Sequence, residues 1–168
     1  MTAPGPKERE MQHAVRIAVL SLAGALACMA SGSSTVDTVA FAARAERLYR
    51  AAGERYHQES TDPSAGWHFA RACYDWADFA TNDTQRATVA QEGISAARAV
   101  LRQHPELAPA QYYLAMNLGQ LARTRLLGAL PLVSEMEKHF KDVLWRDPDF
   151  DHAGPDRCLG LLYRDAPG

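Results

Sequence analysis

Apolar residues along this chain recur at intervals of three and four, and no stretch alternates strictly. That periodicity predicts helices and no strands. Residues 36–59 place Phe41, Ala45, Leu48, Ala52 and Tyr56 on one stripe. Residues 64–80 carry Trp67, Ala70, Tyr74 and Ala77, with Cys73 beside them. Asn82 or Asp83 is placed to cap the next helix by accepting backbone N–H bonds. That helix runs to about residue 103 and carries Val89, Ile94, Ala97, Val100 and Leu101. Residues 108–124 follow with Tyr113, Leu114, Leu118, Leu121 and Ala122. After Gly128, with Pro131 suited to a first turn, come Leu132, Met136, Phe140, Val143 and Leu144. Residues 155–164 end the series with Leu159, Leu162 and Tyr163.

The breaks between these segments are regular. Asp62-Pro63, His104-Pro105 and Asp147-Pro148 put prolines 42 and 43 residues apart, as expected of stop signals past helix ends. The spacing predicts repeated helical hairpins, none of which can bury its apolar face alone, so that stacking of neighbours makes the core. Leu159-Gly160 followed by Tyr163, and Trp67 followed by Tyr74, match the first-helix spacing of tetratricopeptide repeats. Gly93, Ala97, Val100 and Pro105 match the second, as do Met136, Phe140, Val143 and Pro148. The period exceeds the usual 34 residues, and the surplus falls around residues 80–86 and 123–130. The fold class expected is all-α: a tetratricopeptide-like α-solenoid of stacked hairpins over residues 36–168, about six helices.

The N-terminal region has a different pattern. Residues 17–30 are fourteen residues without a charge, preceded by Arg16. A spanning helix needs about 20 apolar residues and a signal peptide roughly 7 to 15, so residues 1–27 read as an export signal, for which Met11 is a cleaner start than Met1. Gly24-Ala25-Leu26-Ala27-Cys28 resembles a bacterial lipobox, which would place a lipid on Cys28. Ordinary cleavage after Ala27 or Ala30 would instead release a soluble exported protein, and retention would leave an anchor helix. Residues 28–35 then form a flexible tether.

Composition narrows the function more by exclusion than by assignment. Hydrophobic residues make up 47% of the 168 and charged residues 23%, a globular balance. Net charge is -2, and removal of residues 1–27 leaves 15 basic against 18 acidic side chains. With no basic excess to neutralise phosphates, nucleic-acid binding is not expected. Three cysteines are too few for a disulfide framework, and the repeat register sets Cys73 and Cys158 too far apart to bond. Glu54 and His57 have Glu-x-x-His spacing but no second copy. Glu135 and His139 share a helix face without the second histidine of a zinc motif. No phosphate loop, nucleophile elbow or nucleophile–base pair is present, so neither catalysis, nor a metal, nor a cofactor is expected. Polar groups set among aromatic helix faces are the better candidates. Tyr112, Asn117 and Arg123 accompany a first helix, the type that lines the concave side of a solenoid, and Arg71 and Asp75 sit on the equivalent helix before it.

Three further runs carry a family resemblance. They are residues 112–123 (YYLAMNLGQLAR), Leu130-Pro131-Leu132-Val133 leading into Glu135-Met136-Glu137, and Asp147-Pro148-Asp149-Phe150-Asp151 continuing through Gly154-Pro155-Asp156-Arg157 to Ala166-Pro167-Gly168. Together they resemble the T-component family of TRAP transporters (TatT), the tripartite ATP-independent periplasmic systems. The resemblance covers about residues 40–168. It implies an exported, often lipid-anchored helical repeat protein that works beside a periplasmic solute-binding component. On that basis the chain is expected to be a noncatalytic accessory scaffold that docks the solute-binding protein or a small organic solute. Tyr112, Asn117, Arg123 and Arg157 are the expected contact residues, although Arg157 could equally cap carbonyls at a repeat junction. The alternative is a general cell-envelope interaction scaffold with no link to transport. A homo-oligomer is compatible with either. Family members continue past the Ala-Pro-Gly, and the last helix here lacks a mate, as in a truncated array or one whose open end meets a partner.

Overall fold

A computed structural model of the protein describes residues 35–125 and 128–165. The expected signal segment, the tether with Cys28, and the closing Ala-Pro-Gly lie outside the described residues. Six helices and no strands occur among those described. They are α1 (Thr35–Gln58), α2 (Pro63–Ala77), α3 (Asp83–Leu101), α4 (Ala108–Arg123), α5 (Ala129–Arg146) and α6 (Phe150–Asp165).

Local chemistry accounts for most of the boundaries. Asp62 caps α2, its carboxylate accepting from the backbone N–H groups of Ser64 and Ala65 at 2.9 and 3.2 Å. Pro63 is therefore the first residue of α2 rather than the stop after α1; its missing N–H is one that a first turn leaves unpaired anyway. Pro105 and Pro148 do fall in the connections after α3 and α5. Asn82 caps α3 by accepting from the N–H of Gln85 at 2.8 Å. The Gln85 side chain returns to the N–H of Thr81 at 2.9 Å, which closes the turn from both sides. Gly128 opens α5 at φ 81, in the left-handed region that costs a glycine little. The start of α6 is irregular. Asp151, His152 and Ala153 all have φ between 50 and 58, a left-handed turn of three non-glycine residues ahead of Gly154 and Pro155.

Each helix packs on the next in sequence, and the first helices of successive hairpins also meet, α2 on α4 and α4 on α6. The backbones of the outer helices α1, α3 and α5 stay apart; α1 meets α3 through Tyr49 and Glu92, and α3 meets α5 through Arg98 and Glu135 at 2.6 Å. The fold is thus a stack of helical hairpins around α4, as the periodicity predicts. Phe140, Met136 and Val143 of α5 are fully buried against Ile94, Leu114 and Leu118. Each such side chain contributes roughly 1.5–3 kcal/mol by leaving water.

The stripe predicted for α1 is observed in part. Ala45, Ala52 and Tyr56 turn inward as predicted, joined by Tyr49 and Gly53, whereas Phe41 and Leu48 are 55% and 52% exposed. One position of register is 100° of helix, and Tyr49 takes the inward place because its ring stacks on Phe69 of α2, with centroids 5.8 Å apart.

Candidate functional site

The predicted wall centres on α4, yet α4 is enclosed by its neighbours, and residues 110–122 are all buried. Tyr112 is 2% exposed and Asn117 not at all, so neither is open to a ligand in this fold. Tyr112 packs edge-on against Tyr113, Phe140 and Phe150. Its hydroxyl donates to Asp151 Oδ2 at 3.1 Å. Burial, with Cys158 and Asp151 nearby, drives its ionisation far above the ordinary tyrosine range. Asn117 Nδ2 donates to the carbonyls of Ala70 and Tyr113, at 2.8 and 2.7 Å, tying α4 to α2. Its Oδ1 has no partner and faces Gly93, where a Cβ would come within 2.5 Å of it.

Arg123 and Arg157 also brace the fold. Arg123, its side chain 18% exposed, bonds Asp78 at 3.2 Å and Gln120 at 3.0 Å. Burial and the neighbouring Arg86 guanidinium lower its affinity for its proton, opposed by Asp78. Arg157 donates to the carbonyls of His152 and Asp151, which caps the left-handed turn. That is the junction-capping role left open from its spacing.

The face formed by α2 and α6 over α4 keeps the Arg71–Asp75 pair, 3.8 Å apart and half exposed. The Arg71 guanidinium lies 5.9 Å from the centre of the Tyr113 ring, which in turn stacks with Trp67. Desolvation lifts the Asp75 carboxyl to about 6; Arg71 opposes the rise, and Asp78 and Asp151 add to it. Among the described residues no three or more His, Cys, Asp or Glu side chains gather to hold a metal ion. His139 sits between Gln111 and Glu135, and burial lowers its affinity for a proton. Cys73 and Cys158 are free and buried. Burial pushes the Cys73 thiol far up and the Cys158 thiol to about 11, so both stay protonated.

The concavity lies on the opposite face. Because the backbones of α1 and α3 stay apart, an open groove of about 790 Å³ runs along the outer side of α3, with the buried Phe69 of α2 beneath it. Tyr56 and His57 of α1 form one wall, and Leu121 and Arg125 close the far end. A recess of about 420 Å³ adjoins it between Tyr49, Glu54 and Glu92. Tyr49 and Tyr56, seven residues apart, both stack on Phe69. Tyr49 spans the gap by donating its hydroxyl to Glu92 of α3 at 2.5 Å. Burial and that carboxylate raise the tyrosine well above its usual range. Phe69 is itself buried beneath the two tyrosines, so what the groove presents is the partly exposed Tyr56, small polar side chains and charges.

No family model matches the chain, and no curated protein matches it significantly.

Proposed function

We propose that the protein is a noncatalytic accessory scaffold of the cell envelope, acting in TRAP-type uptake by docking the solute-binding component or a small organic solute. The single observation that carries the docking role is the open groove along α3, between α1 and the far end of α4. The link to transport is supported by the residue runs 112–123, 130–137 and 147–168. Residues 17–30 and Cys28 support export and a lipid tether facing the periplasm. Among the described residues, no helix is long and apolar enough to cross a membrane. In this reading docking is by shape and charge, without a covalent step.

The test is cross-linking in intact envelopes followed by affinity capture and mass spectrometry. Recovery of a periplasmic solute-binding subunit is the expected result. Repeated recovery of envelope assembly factors alone would favour the general scaffold, which the same groove would serve.

A further inference from the structure

Helix α1 carries apolar side chains that nothing in the fold covers. It has 24 residues against 15 in α2, to which residues 59–62 join it. Packed as a hairpin, α1 runs about nine residues past the end of its mate, about 14 Å at 1.5 Å per residue. Its first buried side chain among those described is Ala45, which is where α2 begins to cover it. Of the six exposed large hydrophobic side chains among the described residues, three lie on α1: Val39, Phe41 and Leu48.

Phe41 and Leu48 are seven positions apart, so they point within about 20° of each other. The exposed Ala51 continues their side of the helix, and Val39 lies across from them. Arg44 stands between the pair, one turn from each, and Arg47 borders it; both are exposed and belong to no ion pair among the described residues. Asp37 is the one carboxylate on that side, a turn ahead of Phe41. Arg50 and Glu46 pair with each other further round the helix, and Arg55 is held by Glu59 and Asp62.

We propose that the Phe41–Leu48 stripe rests on the surface of an anionic lipid bilayer, the one that holds the chain's own N-terminal segment. The inference rests on the reading of residues 17–30 and Cys28 as an export signal and lipid tether, and it is independent of the transport system. Cys28 precedes Thr35 by seven residues, a span of at most about 25 Å. A tether at Cys28 therefore holds α1, before any other helix, at the membrane surface. Two apolar side chains are too few for a stable protein interface, which needs about 800 Å² from each partner. They suffice beside a bilayer, because the tether makes the contact intramolecular and raises its effective concentration. In this pose Phe41 and Leu48 sink below the headgroups while Arg44 and Arg47 meet lipid phosphates, as in an interfacial amphipathic helix.

The experiment uses the chain recovered from envelopes with its natural N-terminus, reconstituted on vesicles of phosphatidylethanolamine and phosphatidylglycerol. Flotation reads the tether, and hydrogen–deuterium exchange with mass spectrometry reads α1. Exchange across residues 37–51 is expected to slow by about tenfold on the vesicles relative to detergent-free solution, while α4 is unchanged. The double variant Phe41→Ser/Leu48→Gln, whose sites are exposed, is expected to float as before, with an unchanged circular dichroism spectrum, and to lose that protection. Vesicles of phosphatidylcholine alone are expected to protect less. A chain that floats while α1 exchanges as fast as in solution would overturn the inference and leave the tether standing, as would protection unmoved by the double variant or equal on phosphatidylcholine. A chain that does not float would remove the tether and the inference together, leaving the groove as a docking surface. Protection without vesicles that grows with protein concentration would assign the stripe to a second copy and overturn the bilayer.

Discussion

Helix α1 is half as long again as α4, 24 residues against 16, yet among its described side chains only Ala45 and Gly53 are buried, whereas thirteen consecutive residues of α4 are buried. Both helices have apolar residues at helical spacing. The difference comes from position in the stack. Helix α4 packs on α2, α3, α5 and α6, while α1 packs on α2 and reaches α3 only through the Tyr49–Glu92 bridge. In an array of hairpins the number of neighbours decides how much of a helix's apolar content becomes core, and a terminal helix keeps the surplus on its surface.

The contrast can be broken most directly at the hub. Phe140 fills the α4–α5 seam with no exposed surface, and Phe140→Ala is expected to cost about 3–5 kcal/mol in urea unfolding. A loss below about 1 kcal/mol would mean the seam is looser than its packing indicates. Gly93→Ala comes next, at about 1–3 kcal/mol, because the added methyl meets the Asn117 side chain 2.5 Å away. In the double variant Gly93→Ala/Asn117→Ala the two costs should fall short of additivity, since the second change opens the space that the first needs.

At the seam between the two regions, Asp75 of α2 tests the sign of a charge effect. Its folded-state carboxyl sits near 6, above its unfolded value of about 3.9. The fold therefore favours the protonated form, and stability is lost as pH rises from about 4 to 6. Asp75→Asn is expected to stabilise the protein at pH 7.5 and to change little at pH 4. The gain should be no more than about 1 kcal/mol, because the side chain is 44% exposed and solvent screens it. Thermal unfolding at the two pH values reads the difference, and a destabilised variant at pH 7.5 would show that the Arg71 pair outweighs desolvation. The smallest effect belongs to α1. Phe41→Ser and Leu48→Gln are expected to shift stability by less than about 0.5 kcal/mol; a larger loss would show that these side chains are covered in solution.

Much of the architecture was legible in the sequence, because helix caps and apolar periodicity are local. Asn82 marks the start of α3, and prolines 42 and 43 residues apart mark the hairpin boundaries, although Pro63 starts α2 rather than stopping α1. The candidate site was less legible, for reasons that are not local. Tyr112 and Asn117 carry polar atoms that suit a surface wall, but α4 is surrounded, so the same atoms bind backbone carbonyls and a carboxylate inside. Leu48 and Tyr49 differ by one position, and the stack on Phe69 decided between them. The groove itself depends on the gap between the backbones of α1 and α3, a relation that neither segment encodes alone. Tyr49 and Tyr56 at a spacing of seven were the one local trace of its aromatic base.

The attachment of α1 through a single seam has a mechanical consequence. Tension applied to the chain ahead of Thr35 would be borne by the α1–α2 interface before any contact of the hub is loaded. Peeling α1 away would carry off Tyr56 and His57, the wall of the groove, and break the Tyr49–Glu92 bridge, while α2 through α6 kept their packing. Force entering at α1 would thus open the groove and recess before it reached the hub.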